Sequence, residues 1–297
     1  MSDDFEIRAG TLLKYNGAPV DVIIPDGVVI IGSHAFDGLQ GLRSVVIPNG
    51  ITAIGDFAFD QCTNLISVTI PNSVTSIGDF AFYGCEKLAD IILPNGLTSI
   101  SKLAFAGCKK LTRITIPNTV KFIGENAFGE CSGITTISIP VSVTAIDEGA
   151  FHNCEKLSSI SLPNGITSIG GGVFAGCSQL TSVTIPQGVK SIGFHFFCGC
   201  KSLQSVTIPN SVTSIEEEAF TGCTSLQSIT IPGGVTSIGE WAFAGCSQLR
   251  AVNCSPGLLS KARAVNAFRD TPYAAGSAGG TAASSQSGGG WLSKLFK

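Results

Sequence analysis

Prolines recur at one fixed interval along this chain, at Pro25, Pro48, Pro71, Pro94, Pro117, Pro140, Pro163, Pro186, Pro209 and Pro232. Six residues after each stands an isoleucine, from Ile31 to Ile238, and eleven after each a phenylalanine, from Phe36 to Phe243. A fixed period of roughly 20–50 residues marks a stack of similar coils. One coil cannot bury its apolar side alone, so each repeat must cover its neighbour in a solenoid. That architecture makes surface binding the default function and leaves little room for catalysis.

Residues 70–92 show the unit: Ile70-Pro71-Asn72-Ser73-Val74-Thr75-Ser76-Ile77-Gly78, then Ala81-Phe82, Gly84-Cys85, Leu88 and Ile91. The S-V-T-I run alternates polar and apolar, the period of a half-buried strand. Val68 and Ile70, or Val183 and Ile185, then face inward. Proline ends the strand because it has no N–H for the ladder, and Asn-Gly or Asn-Ser turns the chain. Ile77, Ala81, Cys85 and Leu88 fall at i, i+4, i+8 and i+11, which predicts one face of a short helical segment. Strands in parallel register lie about 4.8 Å apart, so ten repeats make a body roughly 50 Å long.

The unit resembles the BspA-like, or Treponema pallidum type, leucine-rich repeat, L-x-x-[IV]-x-[IL]-P-x-x-[VI]-x-x-I-G-x-x-A-F-x-x-C, over about residues 20–254. Ser101, Asp147 and Glu216 replace the unit's glycine. The resemblance implies an α/β-type, right-handed repeat solenoid with a parallel β-sheet on one face and short helical segments on the other. It also implies a cell-surface or secreted protein that binds host or matrix proteins. Against that location, Met1-Ser2-Asp3-Asp4-Phe5 is acidic and carries no apolar signal region, which by itself points to the cytoplasm.

Five segments follow. Residues 1–24 form a strand-rich cap, with strands at Phe5–Ile7, Leu12–Tyr15 and Val20–Ile24 and turns at Ala9-Gly10 and Asn16-Gly17. Residues 25–254 form ten repeats. Residues 255–273 form a second cap, where Leu258, Leu259, Ala262, Val265 and Phe268 have helical spacing. Residues 274–290 are a Gly/Ala/Ser linker. Residues 291–297 are an amphipathic tail in which Trp291, Leu292, Leu295 and Phe296 share one helical face. With Lys294 and Lys297, the tail suits weak contact with a membrane surface or an acidic partner.

A formal charge of −3 gives no overall attraction to nucleic acid. Nine of the 11 cysteines lie on the period, from Cys62 to Cys246. A metal or redox ladder is one reading; a column of buried free thiols is the other, and it is favoured because Leu39 holds this place in the first repeat. Cys198 stands off the period, two residues before Cys200, and is the expected reactive exception. His34, His152 and His195 are far apart in the stack and no catalytic motif is present, so neither an enzyme nor a cofactor is expected.

Binding positions are sought where the repeats differ. Two residues before the phenylalanine stand Phe57, Phe80 and Leu103 in succession, with Trp241 near the far end. These predict an exposed apolar patch for a protein partner. The outward strand rows are mostly serine and threonine, suited to hydrogen-bonding a peptide or glycan, with Arg113 and Thr115 as candidates. A glycan site would be expected to carry aromatics on those rows, and they carry none.

Overall fold

The computed structural model describes residues 4–18 and 20–275. Most repeats contribute a main strand, such as Ser44–Val46, Ser67–Thr69 or Ser182–Thr184, and a second short strand, such as Ala53–Ile54 or Ser76–Ile77; around Arg113 the main strand is reduced to a single bridge from Thr115 to Ile92. Where they pair, both do so in parallel with their equivalents in the next repeat, Val45 with Val68 and Ile54 with Ile77, in short sheets of two to five strands. Alternation puts Val68 and Val183 inside and Ser67, Thr69, Ser182 and Thr184 outside.

The third side of the coil is not helical, contrary to the expectation from spacing. Ile77, Ala81, Cys85 and Leu88 are indeed all buried, but two backbone positions per repeat are left-handed. The first is the residue two before the phenylalanine, as at Phe57 (φ 56°) and Phe80 (φ 57°); the second lies four residues further on, as at Gln61 (φ 53°) and Gly84 (φ 67°). A left-handed residue cannot continue a right-handed helix. Alternate N–H groups instead point to the next repeat: Phe57 to Asp79 O, Phe59 to Ala81 O and Gln61 to Tyr83 O, at 2.8–2.9 Å. The convex side is therefore a third inter-repeat ladder, made of stacked turns.

Glycine holds the second left-handed position in most repeats, and Gln61 is an exposed exception. Left-handed backbone costs a non-glycine residue about 1–2 kcal/mol, and glycine loses about 0.4–1 kcal/mol more chain entropy on folding. Gln61→Gly is therefore expected to stabilise the protein by about 0.5–1 kcal/mol, seen as a higher Tm.

A column of phenylalanines runs through the core. Ring centroids of Phe36, Phe59 and Phe82 are 4.9–5.0 Å apart, and those of Phe105, Phe128 and Phe151 are 5.6–5.7 Å apart. The caps extend it: Tyr15 meets Phe36 at 5.5 Å, and Phe268 stacks on Phe243 at 5.4 Å. At the N-terminal end, Phe5–Arg8 and Thr11–Tyr15 form the expected hairpin through Ala9-Gly10, and Thr11 pairs with Ile30. At the other end a helix spans Pro256–Ala264, capped by the Ser255 side chain. Phe268 lies beyond that helix. Asn266 (φ 55°) and Asp270 (φ 57°) repeat the two left-handed positions around Ala267-Phe268, so an eleventh turn closes the stack.

Candidate functional site

The outward face of the main sheet divides in two. In the later repeats its rows are uniform hydroxyls: Thr136 and Ser138, Ser159 and Ser161, Ser182 and Thr184, Ser205 and Thr207, Ser228 and Thr230, all exposed. In the early repeats one row reads Ile23, Val46, Thr69, Ile92, Thr115, joined rung to rung by the strand register. Ile23 is 71% exposed and Ile92 76%, and Ile66, in a neighbouring row, is 50% exposed. Isoleucine this open on a sheet that elsewhere carries serine and threonine is an apolar surface without a cover.

Cations line its rim. Arg43 and Lys87, with Gln40, Gly41, Asn64 and Ile66, surround a recess of about 310 Å³. Arg113 and Thr115, the sheet residues expected to bind, are exposed at the far edge of the patch, with Thr115 bridged to Ile92. Val46 and Ile92 interrupt a serine and threonine row that repeats along the sequence, whereas Ile23 and Ile66 join them only through the coil's register.

The second predicted patch is corrected at Leu103. Phe57 and Phe80 are half-buried and stack on each other at 4.6 Å, with His34 stacked on Phe57 at 4.8 Å and Tyr83 edge-on to Phe80 at 5.7 Å. Leu103 is buried, 4% exposed, beside the fully buried Asn126 in the next repeat. With Leu103 buried and the Phe57 and Phe80 rings stacked along the coil, three open apolar groups in succession do not form. Trp241 is half-buried at the far end. Beside the His34–Phe57 stack, Asp60 has its carboxyl pushed up to about 6, first by burial and then by the neighbouring Asp37.

The nine periodic thiols are fully buried and free. Each donates to the carbonyl of a core phenylalanine 26 residues earlier, from Cys62 to Phe36 O at 3.0 Å through Cys246 to Phe220 O at 3.1 Å. Cysteine here fills a small apolar site and supplies a weak donor to the turn above it. Cys198, expected to be the reactive exception, is half-buried, and its thiol is pushed up to about 12, first by burial and then by Glu218. Among the described residues no group of three His, Cys, Asp or Glu side chains is placed to hold a metal. The histidines lie in separate places: His34 Nδ1 is 2.9 Å from Asp37, His152 Nδ1 is 2.9 Å from Gly149 O, and His195 Nε2 is 3.4 Å from Glu218. No helix among the described residues is long and apolar enough to cross a membrane. Trp291, Leu292, Leu295 and Phe296 lie outside the described residues.

Solved structures resemble this coil. A leucine-rich repeat protein from Bacteroides ovatus is 28% identical over 82% of this chain and 83% of its own, with a TM-score of 0.52. A leucine-rich cell surface protein from Faecalibacterium prausnitzii is 26% identical over 90% and 97%, with a TM-score of 0.43. The T. pallidum leucine-rich repeat protein is 23% identical over 92% and 97%, with a TM-score of 0.44. No curated protein matches the chain. The model of the BspA-type leucine-rich repeat region matches in overlapping stretches, residues 15–135, 77–200 and 169–272. With its repeating coils and phenylalanine column matched over nearly the whole described length, the chain belongs to the BspA-type leucine-rich repeat family.

Proposed function

We propose that this protein is a non-catalytic scaffold that holds a protein partner against the early half of its sheet. The observation that carries the reading is the exposed row of Ile23, Val46 and Ile92 with Ile66 beside it. Burying one such side chain contributes about 1.5–3 kcal/mol. Arg43, Lys87 and Arg113 at the rim suit acidic residues on the partner, setting its orientation and speeding encounter more than tightening it. An extended segment with apolar side chains flanked by acids has the matching chemistry. The finer reading is an adhesin-like role, supported by family membership. A glycan is the weaker occupant, because aliphatic side chains offer a sugar neither hydrogen bonds nor a ring to stack on.

Ile66→Ser with Ile92→Ser is expected to weaken capture of a partner from the native source by at least tenfold while the melting temperature holds. Exposed substitutions leave stability nearly unchanged, whereas each removes apolar contact area from the complex. Ser182→Ala with Ser205→Ala, on the hydroxyl half, is the control. Equal capture by the two double variants, measured by binding to immobilised protein, would place the contact surface elsewhere.

A further inference from the structure

Trp241 is left unexplained by the packing. Its backbone is left-handed (φ 54°), a conformation that costs a bulky residue about 1–2 kcal/mol. Glycine holds the equivalent place at Gly149 and Gly172. At Phe57 and Phe80 the ring-on-ring stack offsets that cost. Trp241 stacks on no other ring among the described residues and stays partly open. Two rungs away Phe194 is 39% exposed, its ring lying over Gly171 on the next rung beyond. Between and beside them stand Glu217 and Glu240, exposed on adjacent rungs. Glu216 accepts the Phe194 N–H at 3.1 Å, and Glu218 lies 3.4 Å from His195. From Ser202 to Leu249 the chain carries those four glutamates and no lysine or arginine. This lateral face is aromatic and negative.

The same chain carries a segment of the opposite character. Residues 291–297, Trp-Leu-Ser-Lys-Leu-Phe-Lys, hold four large apolar side chains and two lysines, and residues 276–290 before them hold no charge. Both stretches lie outside the described residues. The described chain ends on the last rungs of the stack: Tyr273 N–H donates to Leu249 O at 3.0 Å, and Phe268 stacks on Phe243. A Gly/Ala/Ser linker of about 15 residues has a root-mean-square span of about 19–23 Å. Along the stack Trp241 is one or two rungs, about 5–10 Å, from that anchor, which leaves most of the linker's span to pass around the coil. The His34–Phe57–Phe80 stack lies seven or more rungs further and demands a nearly taut linker. Tethering at such a span gives an effective concentration on the order of millimolar, so a contact too weak to form between separate molecules is populated within one.

We propose that residues 291–297 fold back within the same molecule onto the face of repeats eight to ten, with their apolar side chains against Trp241 and Phe194 and their lysines against Glu217 and Glu240.

Trp291→Phe leaves Trp241 as the single tryptophan and tests this directly. In that background, acrylamide quenching of Trp241 is expected to be at least twofold slower in the full chain than in a chain ending at Gly290. Glu217→Lys with Glu240→Lys should raise quenching to the truncated value, with unchanged circular dichroism showing that the solenoid remains. A carbodiimide should join Lys294 or Lys297 to Glu217 or Glu240 within one chain. Equal quenching in full-length and truncated protein overturns the proposal, whether or not the charge variant folds. Protection that grows with protein concentration between about 1 and 50 μM also overturns it, because the occupant is then a second copy. If truncation abolishes sedimentation with anionic phosphatidylserine vesicles but leaves Trp241 quenching unchanged, the tail is a membrane contact instead.

Discussion

Raising the pH from 8 to 10 is expected to remove roughly 10 kcal/mol of stability, enough to unfold the solenoid. The cause is the thiol column. Burial pushes up the thiols of Cys62, Cys85, Cys108, Cys131, Cys154, Cys177, Cys200 and Cys223, those of Cys62 and Cys131 to about 12. Unfolded, the same groups ionise near 9. Well below pH 9 both states hold the proton and the thiols add no pH dependence. Above it the unfolded chain releases protons that the folded chain keeps, so stability falls with rising pH. The slope approaches about 1.4 kcal/mol per pH unit per thiol, and the loss continues until the folded thiols themselves ionise, near 12 for Cys62 and Cys131. Eight such groups act together, against a typical domain stability of about 5–15 kcal/mol. Calorimetry should show a nearly constant Tm from pH 7 to 8 and a steep fall by pH 10. Thiolate absorbance near 240 nm should appear together with loss of circular dichroism. Thiolate absorbance rising while the fold persists would mean that the column is open to solvent.

That column was legible in the sequence because the solenoid repeats one environment at one position. Whatever recurs at a fixed place in every coil is a statement about the core, and the phenylalanine, isoleucine and cysteine columns all read correctly. The convex turns did not. Ile77, Ala81, Cys85 and Leu88 match a helical face because any coil must return its buried side chains at close intervals. The deciding fact is the pair of left-handed residues. The second of these shows as the glycine before cysteine in seven repeats, at Gly38 (where Leu39 replaces the cysteine), Gly84, Gly107, Gly176, Gly199, Gly222 and Gly245. The first is hidden, because only Gly149 and Gly172 mark it among residues as unlike as His34, Phe80, Leu103 and Glu218.

The same hidden backbone explains the error at Leu103. A variable position reads as exposed, yet here variability follows how each side chain lies along the stack: Phe57 onto Phe80, Leu103 inward beside Asn126. The sheet patch was half legible. Val46 and Ile92 stand out from a serine and threonine row, but Ile66 joins them only once the coil's register is known. The eleventh turn was missed because its Phe268 follows Phe243 out of step with the period. The Pro256–Ala264 helix replaces the strand of that turn and shifts everything after it.

Phe128→Ala is expected to cost about 3–5 kcal/mol, the range for a buried phenylalanine truncated to alanine. Phe128 is fully buried, with rings at 5.7 Å on one side and 5.6 Å on the other. Its backbone is a junction as well: its N–H donates to Ala150 O at 2.9 Å, and its carbonyl accepts from the Cys154 thiol at 3.2 Å. A cavity here loosens both neighbouring rungs, and nearest-neighbour coupling carries the loss outward in both directions. At about 2–4 °C per kcal/mol for a chain of this size, Tm should fall by roughly 10 °C. Amide exchange should accelerate first at Phe105, Phe128 and Phe151, whose N–H groups form that part of the convex ladder. Phe36→Ala removes a similar ring near one end, where opening exposes fewer rungs, and should lower Tm less. Phe128→Leu, which keeps most of the volume but not the stack, should recover more than half of the loss. If Phe128→Ala melts with wild type, the phenylalanine column is not what holds the rungs together, and the thiols and aliphatic columns must carry the core without it.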